Sequence, residues 1–359
     1  MRIELLGPSR EEEYAALVHA RSESLVYASL PYRNFLRCVL PTSRDVYLVA
    51  DDGGRMVGVL PAFLATVEGR GKVLNSLPFF GSHGGVMTAR DVDDDREVRL
   101  ALLQAFNDLA ESERVLSSTL ISNPLSADAD FYRQHHRHNY LDQRICQFTG
   151  LPVDYSSDQQ PDRLLSFFHV KTRNAVRKGL KGGFDIRHGD KPALLKQLHD
   201  LHVANMTAIG GIPKEWSVFQ AITEEFSYDD DYRVYVAEQD GHVAAALLLL
   251  YFNRTVEYFV PAIDAEARSD QPLSALIYCA MLDAVARGYR QWNWGGTWLT
   301  QSSVYRFKRR WGTRDIPYFY FVNVLDSRIL SWTRQEILAW FPYYYVLPFN
   351  ALRGGQVGV

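Results

Sequence analysis

Between residues 232 and 263, runs of apolar residues broken by short polar turns mark three strands in succession: RVYVAE, HVAAALLLLYF and TVEYFVPAID. They are joined at Gln239-Asp240-Gly241 and Asn253-Arg254. Asp-Gly between apolar runs is a hairpin signal, because both residue types accept the backbone of a tight turn. Upstream, Leu165, Phe168, Val176 and Leu180 predict a helix from Asp162 to Gly182, ended by Gly182 and Gly183. FDIRH predicts a short strand, and helical periodicity returns over about 190–207 and 214–226. Pro272 opens a helix through Arg287, with Leu273, Leu276, Ile277, Ala280, Met281 and Ala284 on one face and Gly288 after its end. QWNW predicts a strand, Ser302 or Ser303 caps a helix running to Trp311, Gly312 ends it, and IPYFYFVNV is the last strand.

The first half has a similar order. RIELL predicts a strand, followed by a helix from Arg10, a helix over Tyr32 to Val39, and the strands VYLVA and MVGVLPAFLAT around the turn Asp51-Asp52-Gly53-Gly54. After the loop PFFGSHGG come a helix near 94–112, the strand VLSSTLIS, a helix near 126–138 and the strand RICQFTG. Both halves therefore read as copies of one α/β unit with little residue identity between them. The expected division is 1–150, 151–325 and an aromatic tail, 326–359.

Length agrees with two domains, since 359 residues exceed what one core usually serves. With 47% hydrophobic and 23% charged residues, the composition is that of a globular protein. No apolar run is long enough for a membrane span, and MRIELLGPSREEEY lacks the pattern of a secretory signal. Cys38, Cys146 and Cys279 stand far apart, which suits a reducing compartment and speaks against a structural metal, so the expected location is cytoplasmic. His135, His136 and His138 lack a cysteine or carboxylate to complete a zinc set and read as a surface helix end.

A formal net charge of −3 gives no global pull toward nucleic acid or membrane, but charge is unevenly placed. Residues 169–188 hold six Lys or Arg against one acid, Asp185, and SSVYRFKRRWGTRD (302–315) holds five basic residues among three aromatic ones. Arg173, Arg177 and Lys181 recur every fourth residue along one side of a helix, either as a solvated face or as a site for an anion. On the second basic helix Lys308 shares a face with Val304, Tyr305 and Trp311, not with Arg306 and Arg310, so it either snorkels past the rings or points into a pocket. Arg306, Arg309, Arg310 and Arg314 read as surface charge or as contacts to a polyanion. Trp294-Gly295-Gly296 either brings backbone close to a ligand or turns the chain.

The element order, together with KTRNAVRKGLKGG (171–183), EYFVPAIDAEARSDQPLSALIYCAMLDAVARGYRQWNWGG (257–296) and YRFKRRWG (305–312), resembles the FemAB-like (FemABX) family of aminoacyl and acyl transferases. That resemblance implies an α/β fold of two tandem GNAT-like (acyl-CoA N-acyltransferase) domains, each a mixed central sheet flanked by helices. It implies that Phe307 and Lys308 lie at the active site, the lysine stabilising a phosphate leaving group or an oxyanion, and that Tyr305 protonates the leaving group. Arg173 and Arg177, with Lys181 in the same row, are the implied phosphate contacts. The donor is implied where TVEYFVPAID and QWNW splay apart, beside Trp294 and Gly295. His83 in PFFGSHGG either faces the acceptor cleft, as similar loops of the family do, or belongs to a plain turn. Glu257, Asp264 and His83 are the candidate bases.

One departure bears on the donor. Coenzyme A enzymes of the GNAT fold usually place a glycine-rich loop after the first splayed strand, where backbone N–H groups grip pyrophosphate; here the loop is EARSDQPLS. This favours aminoacyl-tRNA over acyl-CoA without excluding the latter. No long coiled-coil insertion is present, so peptidoglycan is not assured as acceptor. The expected function is transfer of an acyl or aminoacyl group from an activated donor to an amine of a phosphate-bearing or envelope-related acceptor, with no tightly bound cofactor, no metal and no DNA partner. The alternatives are an acyl-CoA-dependent N-acyltransferase for an amino sugar or small amine, and a non-catalytic anion- or RNA-binding protein on the same fold. The tail, with Trp332, Trp340, Phe341, Tyr343, Tyr344, Tyr345 and Phe349 flanked by Arg334 and Arg353, either rests peripherally on a membrane, at its inner face, or packs on its own domain or a second subunit.

Overall fold

The computed structural model describes residues 1–79, 83–92 and 94–352. Phe80, Gly81 and Ser82 of the PFFGSHGG loop, and Arg353, lie outside the described residues. Two compact units divide the chain. The first comprises Met1–Ile145, Trp298–Thr300 and Ile316–Val359; the second comprises Cys146–Thr297 and Gln301–Asp315. The strand expected to close the C-terminal domain, and the aromatic tail, thus group with the N-terminal half. Each unit is α/β, as the two-copy reading expects.

In the second unit, Asp185–Gly189, Tyr232–Gln239, His242–Phe252 and Thr255–Ile263 run antiparallel in that order, and Gln291–Trp298 joins Thr255–Ile263 in parallel. Strand His242–Phe252 is buried from Val243 onward, which explains its unbroken apolar sequence. Helix Pro272–Ala286 is buried along Leu276, Ile277, Ala280, Met281 and Ala284. These pack with Trp292, Trp294, Trp311, Leu247, Leu249 and Phe168 into one core.

The predicted helix 162–182 is two helices, Gln160–Phe167 and Val170–Lys181. Phe168 is extended and buried at the break, and the His169 ring caps the second helix by accepting from the Lys171 N–H. A single helical period misses this because Phe168 serves the core from a bent backbone. The helix expected to run to Trp311 spans Ser302–Arg309, and neither serine caps it; Gln301 occupies the cap position.

In the first unit one sheet is ordered Arg2–Leu5, Leu48–Asp52, Arg55–Leu60, Met87–Thr88. The predicted strand MVGVLPAFLAT divides at Pro61: Arg55–Leu60 stays in that sheet, while Phe63–Val67 pairs with Ser43–Asp45 and Gly71–Asn75. Proline lacks the N–H that a continuous ladder needs, so the chain changes sheets there. Gly71–Asn75 pairs in parallel with Ser117–Ile121, and Ser117–Ile121 pairs antiparallel with the last strand over Tyr320–Val324. Leu74, Leu102, Phe106, Leu120 and Phe321 belong to this unit's core. His136 is buried beside Phe106 and Phe321 rather than on a surface helix end, and burial pushes its imidazole down to about 3.

Candidate functional site

Strands Thr255–Ile263 and Gln291–Trp298 pair at three positions only: Thr255 with Gln291, Val256 with Trp292, and Glu257 with Asn293. The pairing ends on two buried polar side chains. The Asn293 carboxamide donates to Glu257 Oε1 at 2.9 Å, while its oxygen accepts from Cys146 Sγ at 3.2 Å and the Gly295 N–H at 2.8 Å. Glu257 is only 2% exposed, and a buried carboxylate needs such partners to offset its lost hydration. Beside Glu257, burial raises the Cys146 thiol, which remains protonated and inert at neutral pH.

Gly295 follows, with φ +73. Successive carbonyls of an extended strand point to opposite sides; the left-handed turn at Gly295 breaks that alternation. The Gly295 and Gly296 carbonyls consequently meet one cation. Lys308 Nζ donates to Gly295 O at 3.2 Å, Gly296 O at 3.1 Å and Thr297 Oγ1 at 2.9 Å. Its three donors are all used. Lys308 is buried, and desolvation pushes its ammonium down to about 8. Of the two sequence readings for this lysine, the inward one holds. Phe307, its neighbour, is 41% exposed with its ring against Trp294 and Trp311.

Other expected site residues fall in different places. Trp294 is a core residue whose indole N–H donates to Thr149 Oγ1. The Tyr305 hydroxyl donates to Asp315 at 2.6 Å, which raises its pKa, so its proton is committed away from the lysine cluster. Asp264 accepts from His242 at 2.7 Å, and that contact holds its carboxyl below the usual range, leaving a weak base. His83 belongs to the first unit. It is buried between Tyr27 and Tyr318, and desolvation pushes it down to about 3. Arg173 donates to the Phe168 carbonyl, fastening the break between the two helices, while Arg177 and Lys181 are exposed.

The basic islands do converge, through His169 and Lys171, which were not among the expected site residues, and through arginines read from the sequence as surface charge or contacts to a polyanion. His169 and Lys171 line a groove of about 340 Å³ with Arg306, Arg309 and Arg310, and among the described residues no carboxylate lines it. The His169 N–H donates to the Arg310 carbonyl, which joins the start of Val170–Lys181 to the end of Ser302–Arg309. Helix Ser302–Arg309 therefore sends Lys308 inward to the strand joint and Arg306 and Arg309 outward to the groove. His169 and Lys171 carried a signal in the sequence, the first basic island, but only the helix break at Phe168 turns them toward the second.

A feature with no sequence signal sits further along Thr255–Ile263. The Asn205 side chain donates to Ile263 O at 2.7 Å and accepts from Ile263 N at 3.0 Å. Asp264 N–H bonds to Ala244 O on the neighbouring strand, so the Ile263 groups face the opposite edge, the one bordering the parted strand. Pro261, two residues earlier on that edge, has no N–H to offer. Among the described residues no group of His, Cys, Asp and Glu forms a metal cluster, and no helix is long and apolar enough to cross a membrane.

Residues 167–309 match the family model described as Acetyltransferase (GNAT) domain. The whole chain is similar in fold to FemX, with a TM-score of 0.72 at 14% identity, covering 92% of this chain and 98% of that one. It is also similar to L-PGS from Bacillus licheniformis (TM-score 0.54, 13% identity, 89% and 92% covered). A tandem GNAT protein from the clavulanic acid biosynthesis pathway gives 0.53 at 13% identity, with 90% and 98% covered. No curated protein matches the sequence. The fold is thus the FemX-like tandem GNAT fold, as the resemblance implied.

Proposed function

We propose that the chain is an acyltransferase whose second unit moves an acyl or aminoacyl group from a polyanionic activated donor, a charged tRNA, to an amine of a phosphate-bearing acceptor. The observation that carries this reading is the acid-free groove of His169, Lys171, Arg306, Arg309 and Arg310, which lies on the helix that sends Lys308 to the strand joint. Arginine forks fit phosphate oxygens in pairs, and several along one groove suit a run of phosphates better than one small anion.

In this mechanism the acceptor nitrogen attacks the carbonyl carbon of the donor ester, and an oxyanion develops on the carbonyl oxygen. Lys308 supplies the facing positive charge, giving up its longest hydrogen bond, 3.2 Å to Gly295 O, as the oxyanion arrives. Glu257 takes the proton of the attacking amine and returns it to the ribose oxygen as the C–O bond breaks. Glu257 is preferred over Asp264, whose carboxyl is held ionised by His242. Phe307, half exposed beside Lys308, offers an apolar wall for the transferred group.

The choice of donor over acyl-CoA is supported by the edge of Thr255–Ile263. A pantetheine arm adds its amides to an open strand edge as another strand does, and here Pro261 has no donor and Asn205 occupies both backbone groups of Ile263. Helix Pro272–Ala286 begins with a proline after Gln271 at φ +62, which removes one of the N–H groups that grip pyrophosphate. The test is transfer to an amine acceptor with each donor supplied separately. Turnover with charged tRNA, abolished by RNase, supports the reading. Turnover with acyl-CoA that RNase leaves untouched favours the small-amine N-acyltransferase instead. Salt-sensitive RNA binding without turnover favours the binding protein.

A further inference from the structure

The first unit repeats the joint of the second with a different occupant. Gly71–Asn75 and Ser117–Ile121 also pair in parallel at three positions, ending on Asn75 opposite Thr119. In the second unit the terminal pair, Glu257 and Asn293, bond to each other. In the first they reach out to a third segment. With its amide oriented to satisfy both ends, Asn75 accepts from the Tyr345 N–H at 2.8 Å and donates to the Tyr345 carbonyl at 3.1 Å. Thr119 Oγ1 donates to the same carbonyl at 2.8 Å. A carboxamide that pairs with both backbone groups of one residue imitates a neighbouring strand.

The seat extends two residues back along the tail. The Phe79 N–H donates to the Tyr343 carbonyl at 2.8 Å, and the two rings stack at 4.8 Å. Both residues adopt positive φ, +83 at Phe79 and +69 at Tyr343, a region side chains other than glycine enter only when their surroundings impose it. The Tyr344 hydroxyl donates to Ser43 Oγ at 2.9 Å and the Tyr345 hydroxyl to Asp142 at 2.6 Å, while Val346 and Leu347 are buried. A tail that merely covered apolar surface would not need backbone hydrogen bonds at alternate residues or strained backbone on both sides of the seat.

From this we infer that Asn75, Thr119 and Phe79 form a second binding cradle, in the first unit, for an amide chain, and that residues Tyr343–Tyr345 of the same chain are its resident ligand. The tail holds the cradle closed to any other chain of that chemistry. The first unit then takes no ligand at its joint, and the protein binds one donor, at the second unit. The cradle and its occupant are independent of the transfer chemistry; the single donor rests on the proposed function of the second unit.

The test uses the full-length chain. In Asn75→Ala, hydrogen exchange at the Tyr345 amide is expected to accelerate at least tenfold, while helix Arg334–Trp340 keeps its protection. Unchanged exchange at Tyr345 overturns the inference. In a second arm a labelled peptide of sequence PYYYVL is titrated into wild type, into Tyr345→Pro, which deletes the N–H that Asn75 accepts, and into the Tyr345→Pro, Asn75→Ala double variant. Binding by the single variant alone is the expected result. Equal binding by wild type, or none by a folded Tyr345→Pro chain, overturns it; should that variant fail to fold, the exchange measurement decides.

Discussion

Lys308 is a buried cation whose three protons all rest on oxygen, and this makes its pH behaviour informative. Burial pushes its ammonium down to about 8 from the ordinary lysine value of 10.5. Between those values the unfolded chain holds a proton that the folded chain lacks, so this residue makes stability rise with pH across about 8 to 10.5. Urea midpoints of wild type, less those of Lys308→Met, should increase from pH 7.5 to pH 10; the subtraction removes Lys214, which burial also lowers to about 8. The catalytic prediction has the opposite sign. If the cation stabilises the oxyanion, kcat falls as pH rises through about 8, whereas a neutral amine acting as base would raise it. Lys308→Met should lower kcat at least ~10²-fold, the usual cost of losing one oxyanion donor, with circular dichroism unchanged. Gly295→Ala tests the turn beneath the lysine. Space exists for the methyl group, so the cost, about 1 kcal/mol in thermal unfolding, comes from φ +73 alone.

At the scale of elements, the joining of two short basic helices is what makes the groove. Arg306→Glu with Arg310→Glu should raise KM for charged tRNA at least tenfold and leave kcat within about twofold. The double variant should also flatten the dependence of log KM on log salt by about one unit for each phosphate that is no longer neutralised. A shift in kcat alone would place these arginines in the chemistry instead. Asn205→Ala strips both backbone groups of Ile263 of their partner and should cost about 1–3 kcal/mol in denaturant unfolding. Much of this level was legible in the sequence. Alternation and Asp-Gly placed the central meander, and the one-sided apolar face of 272–287 placed its covering helix. Helical spacing set Lys308 on the aromatic face of its helix, and its hydrogen bonds to Gly295, Gly296 and Thr297 show the inward course. The break at Phe168 escaped because a buried residue on a bent backbone keeps the apolar spacing of a helix. Trp294 escaped as core because neighbouring glycines suggest ligand approach as readily as a bend, and Tyr305 because Asp315, ten residues away, decides where its proton goes. Asn205 left no trace, since nothing in its neighbourhood announces a strand edge 58 residues later.

At the scale of the whole molecule, two units of one architecture carry the same three-pair parallel joint in different states. In the second, Glu257 and Asn293 end the joint and Lys308 reaches it from a helix whose other side borders a basic groove; in the first, the joint is taken up by the chain's own tail. This division of labour rests on the second unit being a site for a polyanionic donor. The most direct test is a donor assay in which aminoacyl-tRNA and acyl-CoA are each offered with an amine acceptor to wild type and to the Arg306→Glu, Arg310→Glu variant. The account predicts RNase-sensitive transfer from aminoacyl-tRNA, at least tenfold weaker in kcat/KM for the variant, and none from acyl-CoA. Transfer from acyl-CoA at equal rates in both proteins would contradict it.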